Sequence, residues 1–195
     1  ILYYTSTIKV KGKMVLTIYQ SKLSPTGTWS KPVTVLTPKK AFSYFHPCIT
    51  NDGNTLVFAT DENNKSRGSD LVISNFVNGE WSEPASVGEK VNSNKNEGYP
   101  YVDSLGNLFF SSRGHAGFGG YDLFFSENIG GEWQKPINLG SPLNSAFDDF
   151  GLIIDPIKRY GYFSTNRFVG LNDEILRFNL LFPLFNNCKT YESPS

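Results

Sequence analysis

Nothing in this chain approaches the roughly 18 consecutive apolar residues of a membrane-spanning helix, so no such span is expected. Neither charge is in excess. Eighteen basic and eighteen acidic residues cancel, which removes the positive field that holds a phosphate backbone, and nucleic acid is not an expected partner. Methionine occurs once, and histidine and cysteine twice each. Cys48 and Cys188 stand far apart with no CxxC pair, so a zinc site is not expected. One disulfide and two buried thiols both stay open. The sequence begins "ILYYTST", with neither an initiator Met nor a secretion leader, and reads as a processed N-terminus or a piece of a longer protein.

What the chain has instead is rings and turn formers. Phe, Tyr and Trp make up 15% of its 195 residues, with 18 Gly and 11 Pro. Aromatics suit a pleated surface, and Gly and Pro make tight turns, so many short strands are predicted and long helices are not.

Those strands repeat. "TGTWSKP" (26–32), "NGEWSEP" (78–84) and "GGEWQKP" (130–136) place Trp29, Trp81 and Trp133 52 residues apart, twice, and Pro32, Pro84 and Pro136 keep the interval. A strand–turn–strand phrase travels with them: "HPCITNDGNTLVFAT" (46–60), "YPYVDSLGNLFFSS" (99–112) and a weaker "FGLIIDPIKRYGYFST" (150–165). So does a loop ending at an Asp and entering a strand, with Asp70, Asp122 and Asp173 expected to fix the same loop each time. About 50 residues and four antiparallel strands per unit is the pattern of a propeller blade. Near-continuous apolar strands fit too, since both faces of a blade meet neighbours. The predicted fold class is all-β, a β-propeller of four-stranded antiparallel blades with about four blades in this chain, either as a compact ring or within a six- or seven-bladed one. The units run roughly 1–42, 43–94, 95–146 and 147–178, the first lacking its first strand and the last its fourth. The tail 179–195 is a ring-closing strand or the start of another domain.

"NDGNTLVFAT…GSDLVIS…NGEWSEPASVGEKVNS" and "SLGNLFFSSRGHAGFGGYDLFFS…GGEWQKPINLGSPLNS" resemble the WD-repeat-like blades of TolB-type propellers, and more narrowly those of OmpA-associated envelope proteins of the Bacteroidetes, including the PorE-like component of type IX secretion. The resemblance covers 43–178 well and 1–42 loosely. It implies a periplasmic or outer-membrane-associated interaction platform, without catalysis or cofactor, binding a protein partner. Peptidoglycan would be reached only through domains that this chain does not contain.

Catalytic motifs are sparse. No Gly-x-Ser-x-Gly pentapeptide accompanies His46 or His115, so a Ser-His-Asp arrangement is not predicted and both histidines read as structural. "DENNKSRGSD" (61–70) lacks the regular Asp spacing and terminal Glu of a calcium loop, and no metal site is expected. Repeated residues usually serve the fold, so binding is sought where the copies differ. The loops between strands two and three offer Arg67, Arg113, His115, Phe118, Arg167 and Phe168, a candidate rim of Arg beside exposed rings. The alternative to a binding module is a glycosidase-like propeller hydrolase, with Glu97, Asp148 and Asp149 as carboxylates at the mouth of the central channel. Those carboxylates have a plainer reading as caps on backbone N–H groups.

Overall fold

The computed structural model describes residues 1–62, 68–155, 159–168 and 172–180, and every regular element among them is a β-strand. Arg67, Cys188 and nearly all of the 179–195 tail lie outside the described residues.

The strands fall into four antiparallel sheets and one separate two-stranded ribbon, taken in order along the chain. The first holds β1 (Leu2–Val10), β2 (Lys13–Ser21) and β3 (Val33–Leu36). The second holds β4 (Tyr44–Ile49), β5 (Thr55–Thr60) and β6 (Asp70–Val77), with the short β7 (Glu80–Trp81) and β8 (Ala85–Ser86) both pairing with β6. In the third, β9 (Glu97–Val102), β10 (Leu108–Ser112) and β11 (Asp122–Ser126) are followed by a two-stranded ribbon, β12 (Asn128–Ile129) with β13 (Glu132–Trp133), and by β14 (Ile137–Asn138) on β11. The fourth is β15 (Asp149–Asp155), β16 (Tyr160–Thr165) and β17 (Glu174–Asn179).

The repeated Gly-x-Trp phrase is a hairpin turn. Asn78 and Gly79 lie at φ of 53° and 89°, and Gly130 and Gly131 at 63° and 90°. Positive φ at both central residues gives the turn whose twist matches the flanking strands. Each hairpin delivers a Trp to a sheet boundary. Trp81 packs on the cluster of Ile18, Tyr44, Leu56, Phe58 and Val72, which joins the first and second sheets. Trp133 packs on the cluster joining the second and third, and its Nε1–H donates to the Gly106 carbonyl at 2.9 Å. Trp29 departs from the pattern: it is 49% exposed and makes only an isolated bridge to Leu23.

Three apolar clusters therefore lie between consecutive sheets. Phe58 and Phe110 are at most 1% exposed, and Phe109, Leu123 and Phe125 bury against Leu152 and Phe163 of the fourth sheet. Each such ring contributes on the order of 2–3 kcal/mol through the apolar area it removes from water. Central strands with apolar residues on both faces follow, since both faces are covered.

Candidate functional site

The inner strand of three successive sheets carries the same irregularity. His46 and Pro47 of β4 stand opposite one residue of β5, Tyr99 and Pro100 of β9 opposite one of β10, and Gly151 and Leu152 of β15 opposite one of β16. This is a β-bulge whose first residue adopts the left-handed conformation, at φ of 53° for His46, 53° for Tyr99 and 67° for Gly151. Glycine suits that position. A His and a Tyr there cost on the order of 1–2 kcal/mol each, and strain of this kind concentrates at functional sites.

The bulges bring rings together. The His46 imidazole stacks on Tyr99 at 3.8 Å between centroids, Tyr99 meets Phe150 at 4.9 Å, and Tyr121 stands edge-on to Tyr99 at 5.9 Å. The Arg113 guanidinium lies 4.5 Å from the centre of Tyr121. An open cleft of about 370 Å³ borders this cluster, lined by Leu16, Phe45, Asp61, Ser69, Asn96 and Tyr121 among others.

Of the three carboxylates read from the sequence, two are buried. Glu97 is 0% exposed; its Oε1 accepts the hydroxyls of Ser93 and Ser112, both at 2.6 Å, and its Oε2 accepts the Ser93 N–H at 2.9 Å. Burial pushes its pKa up, with the Ser112 and Ser93 hydrogen bonds opposing. Asp149 is likewise 0% exposed, accepting the Ser145 N–H at 2.6 Å, its hydroxyl at 2.8 Å and the Arg167 guanidinium at 2.6 Å. Both cap the turn that precedes an inner strand, and neither meets solvent. Asp148 does. Its side chain is 25% exposed, one Arg113 nitrogen donates to both its oxygens at 3.0 and 2.9 Å, and the Tyr121 N–H donates to its Oδ1 at 2.7 Å.

The candidate rim is similarly divided. Phe118 and Phe168 are exposed, at 58% and 48%. Arg113 reaches toward the ring cluster. His115 turns inward, its Nε2 bonded to the Val91 carbonyl at 2.7 Å. Arg167 is spent on the fold, donating to the carbonyls of Pro142 and Leu143 at 2.8 and 2.6 Å as well as to Asp149. Among the repeated aspartates, Asp122 fixes its loop by accepting the N–H groups of Phe118 and Gly119 at 3.0 and 3.1 Å, whereas Asp173 is exposed. No group of three or more His, Cys, Asp or Glu side chains among the described residues is placed to hold a metal ion.

The structure adds Asp61, Tyr99, Tyr121 and Phe150 to the candidate site, together with His46, which the sequence reads as structural. Asp61 is an exposed carboxylate at the end of β5, accepting the Ser43 N–H at 2.7 Å. Asp61 and Tyr121 both line the cleft, and Asp148, which does not line it, accepts the Tyr121 N–H. The signal that was available is positional, since "HP" at 46–47 and "YP" at 99–100 put unlike rings at one place in the repeat.

No family model matches the chain, and no curated protein matches it. Among solved structures it is similar to a thermostable family-43 glycoside hydrolase, with a TM-score of 0.54 and 16% identity, over 93% of this chain and 68% of that one. A gluconolactonase from Xanthomonas campestris gives a TM-score of 0.47 and 13% identity over 77% of this chain, which spans 41% of the gluconolactonase's length. The fold is thus all-β and propeller-type. The expectation of a non-catalytic scaffold is corrected here, because the fold matched over nearly the whole chain belongs to an enzyme.

Proposed function

We propose that this chain is a propeller hydrolase that cleaves a glycosidic bond, with Asp61 and Asp148 as its paired carboxylates. The observation that carries this reading is their placement. Asp61 is exposed and lines the open cleft together with Tyr121, and the partly exposed Asp148 accepts the backbone N–H of that same Tyr121. Glycoside hydrolysis needs two carboxyl groups on either side of the scissile bond, one to protonate the leaving oxygen and one to activate water or attack the sugar. Tyr121 and Phe45 offer apolar ring surface of the kind on which sugar faces stack. Arg113 and the Tyr121 N–H hold Asp148 in place, and the Ser43 N–H holds Asp61.

The likeness to a glycoside hydrolase supports the same substrate class. We take each sheet as one blade, with units near 1–42, 43–94, 95–146 and 147–178 forming a ring or part of a larger one. The resemblance of the repeated phrases supports residence in a bacterial envelope, which cell fractionation tests.

The hydrolase reading is tested by incubating the full chain with xylo-, arabino- and cello-oligosaccharides and measuring released reducing ends. Turnover is expected, falling at least about 100-fold in Asp148→Asn and in Asp61→Asn, the loss typical of removing a positioned acid or base. Absence of turnover across the panel, or full activity in both variants, overturns it.

A further inference from the structure

The proposed hydrolysis leaves His46 without a role, yet the chain keeps a costly conformation to place it. Its ring is accommodated by a specific exchange. The residue preceding the bulge is Phe45 in the second sheet and Phe150 in the fourth, but Gly98 in the third. A Cβ on Gly98 would fall 3.0 Å from His46 Nδ1. The missing side chain is the space that the imidazole occupies. Phe45 closes one side edge-on at 4.8 Å and Tyr99 stacks on its face.

This seat also fixes the ring's proton. The Tyr99 backbone N–H approaches Nδ1 at 3.4 Å. A backbone N–H only donates, so Nδ1 presents its lone pair and the neutral ring carries its hydrogen on Nε2. Burial holds the imidazole pKa down to about 4, which keeps the ring uncharged near neutrality. His115 is the useful contrast, because its Nε2 is already bonded to the Val91 carbonyl. His46 Nε2 has no hydrogen-bond partner among the described residues, and the side chain is partly exposed.

We propose that the Nε2–H of His46 is a fixed, uncharged hydrogen-bond donor for a neutral saccharide, taking a hydroxyl or ring oxygen of a sugar lodged against the inner strands. This rests on the hydrolase reading and narrows its substrate class. With no net charge on His46, and with the Arg113 cation beside Tyr121 already paired to Asp148, the donor suits an unionised sugar better than a uronic acid. A sugar that displaces water from the accessible Nε2–H must replace the hydrogen bond it removes, so a ligand oxygen placed to accept it is selected.

The test uses the full chain labelled with ¹⁵N-histidine, with xylohexaose as the neutral probe and hexagalacturonate as the acidic one. Long-range ¹H–¹⁵N spectra at pH 7 are expected to show His46 as the Nε2–H tautomer, its Nε2 shifting with xylohexaose while that of His115 stays put. His46→Phe keeps a ring over Tyr99 and loses the donor; its KM for xylohexaose is expected to rise roughly 10-fold, the scale of one hydrogen bond, with a smaller change in kcat. An Nδ1–H tautomer, an imidazolium, or equal binding of both probes overturns the proposal. If the wild type cleaves xylohexaose but the His46 signal and the His46→Phe KM do not move, the donor falls and the hydrolase stands. If the wild type cleaves nothing in the panel, both fall.

Discussion

Asn96 and Asp148 occupy the same place in consecutive sheets. Each side-chain oxygen accepts the backbone N–H of the residue just before the third strand of the preceding sheet, from Ser69 at 3.0 Å and from Tyr121 at 2.7 Å. The structural duty of this position is therefore met by an amide as well as by an acid. Asp148→Asn should keep the Tyr121 bond and lose the ion pair with Arg113, which at 42% and 25% side-chain exposure is worth no more than about 1 kcal/mol. Chemical denaturation should place the variant within about 1 kcal/mol of wild type, so that any loss of turnover reports on chemistry. A much larger destabilisation would assign the charge to the fold.

Arg167 and Asp149 form the opposite kind of pair. Asp149 is wholly buried, and the Arg167 side chain is only 17% exposed. Arg167→Met strands a buried carboxylate and should cost about 3–5 kcal/mol. Adding Asp149→Asn should recover part of that loss, because the amide needs no counter-charge. Urea titration of the single and double variants measures the coupling, and additive losses would contradict it.

His46 gives the protein an acid-side weakness. Its pKa is about 4 in the fold, against an ordinary value of 6.5, because burial disfavours the charged ring. Between those values the unfolded chain binds a proton that the native chain refuses. Stability should be full above about pH 6.5 and decline toward pH 4, by up to about 3 kcal/mol from this group. Glu97 works the other way: its raised pKa lets the native state hold a proton more readily, a contribution present at low pH and lost as pH rises. Unfolding free energies at pH 7 and pH 5 should fall less in His46→Phe than in wild type; identical slopes would show that His46 does not cause the decline.

The three tryptophans should be unequal. Trp133→Ala removes a ring packed on a buried cluster and a hydrogen bond to Gly106, and a loss of about 3–5 kcal/mol is expected. Trp29→Ala should stay within about 0.5 kcal/mol, as for other exposed positions. Thermal melts of the two variants distinguish them, and equal losses would mean that Trp29 is buried in solution.

The repeat was legible because identical interfaces demand identical residues at a fixed interval. Trp81 and Trp133 at sheet boundaries, and the Gly turns beside them, follow from spacing alone. Trp29 shows the limit: the phrase is the same, but no described sheet lies on its far side. The carboxylates meet a related limit, since the sequence offers both a capping and a channel-mouth reading and does not separate them. "DD" at 148–149 looks like one cluster, yet alternation along an incoming strand sends Asp149 into a cap and leaves Asp148 partly exposed beside Arg113. Sequence order records adjacency and leaves facing unspecified. The His46 seat was invisible because it depends on Gly98, 52 positions away, having no side chain.

Substantial contacts join only sheets that are consecutive along the chain among the described residues, as with β4 on β9 and β9 on β15. The molecule is then close to a one-dimensional array, whose stability sums unit by unit and neighbour by neighbour. Its cooperativity has a direction. The middle sheets, clasped on both faces, set the slowest opening, while the first, with Met14 and Val33 at 64% and 55% exposure, and the fourth, with Ile153 and Ile175 at 54% and 74%, are held on one described face only. The ring cluster spans the second to fourth sheets, so fraying that starts at the fourth reaches its Phe150 before its His46.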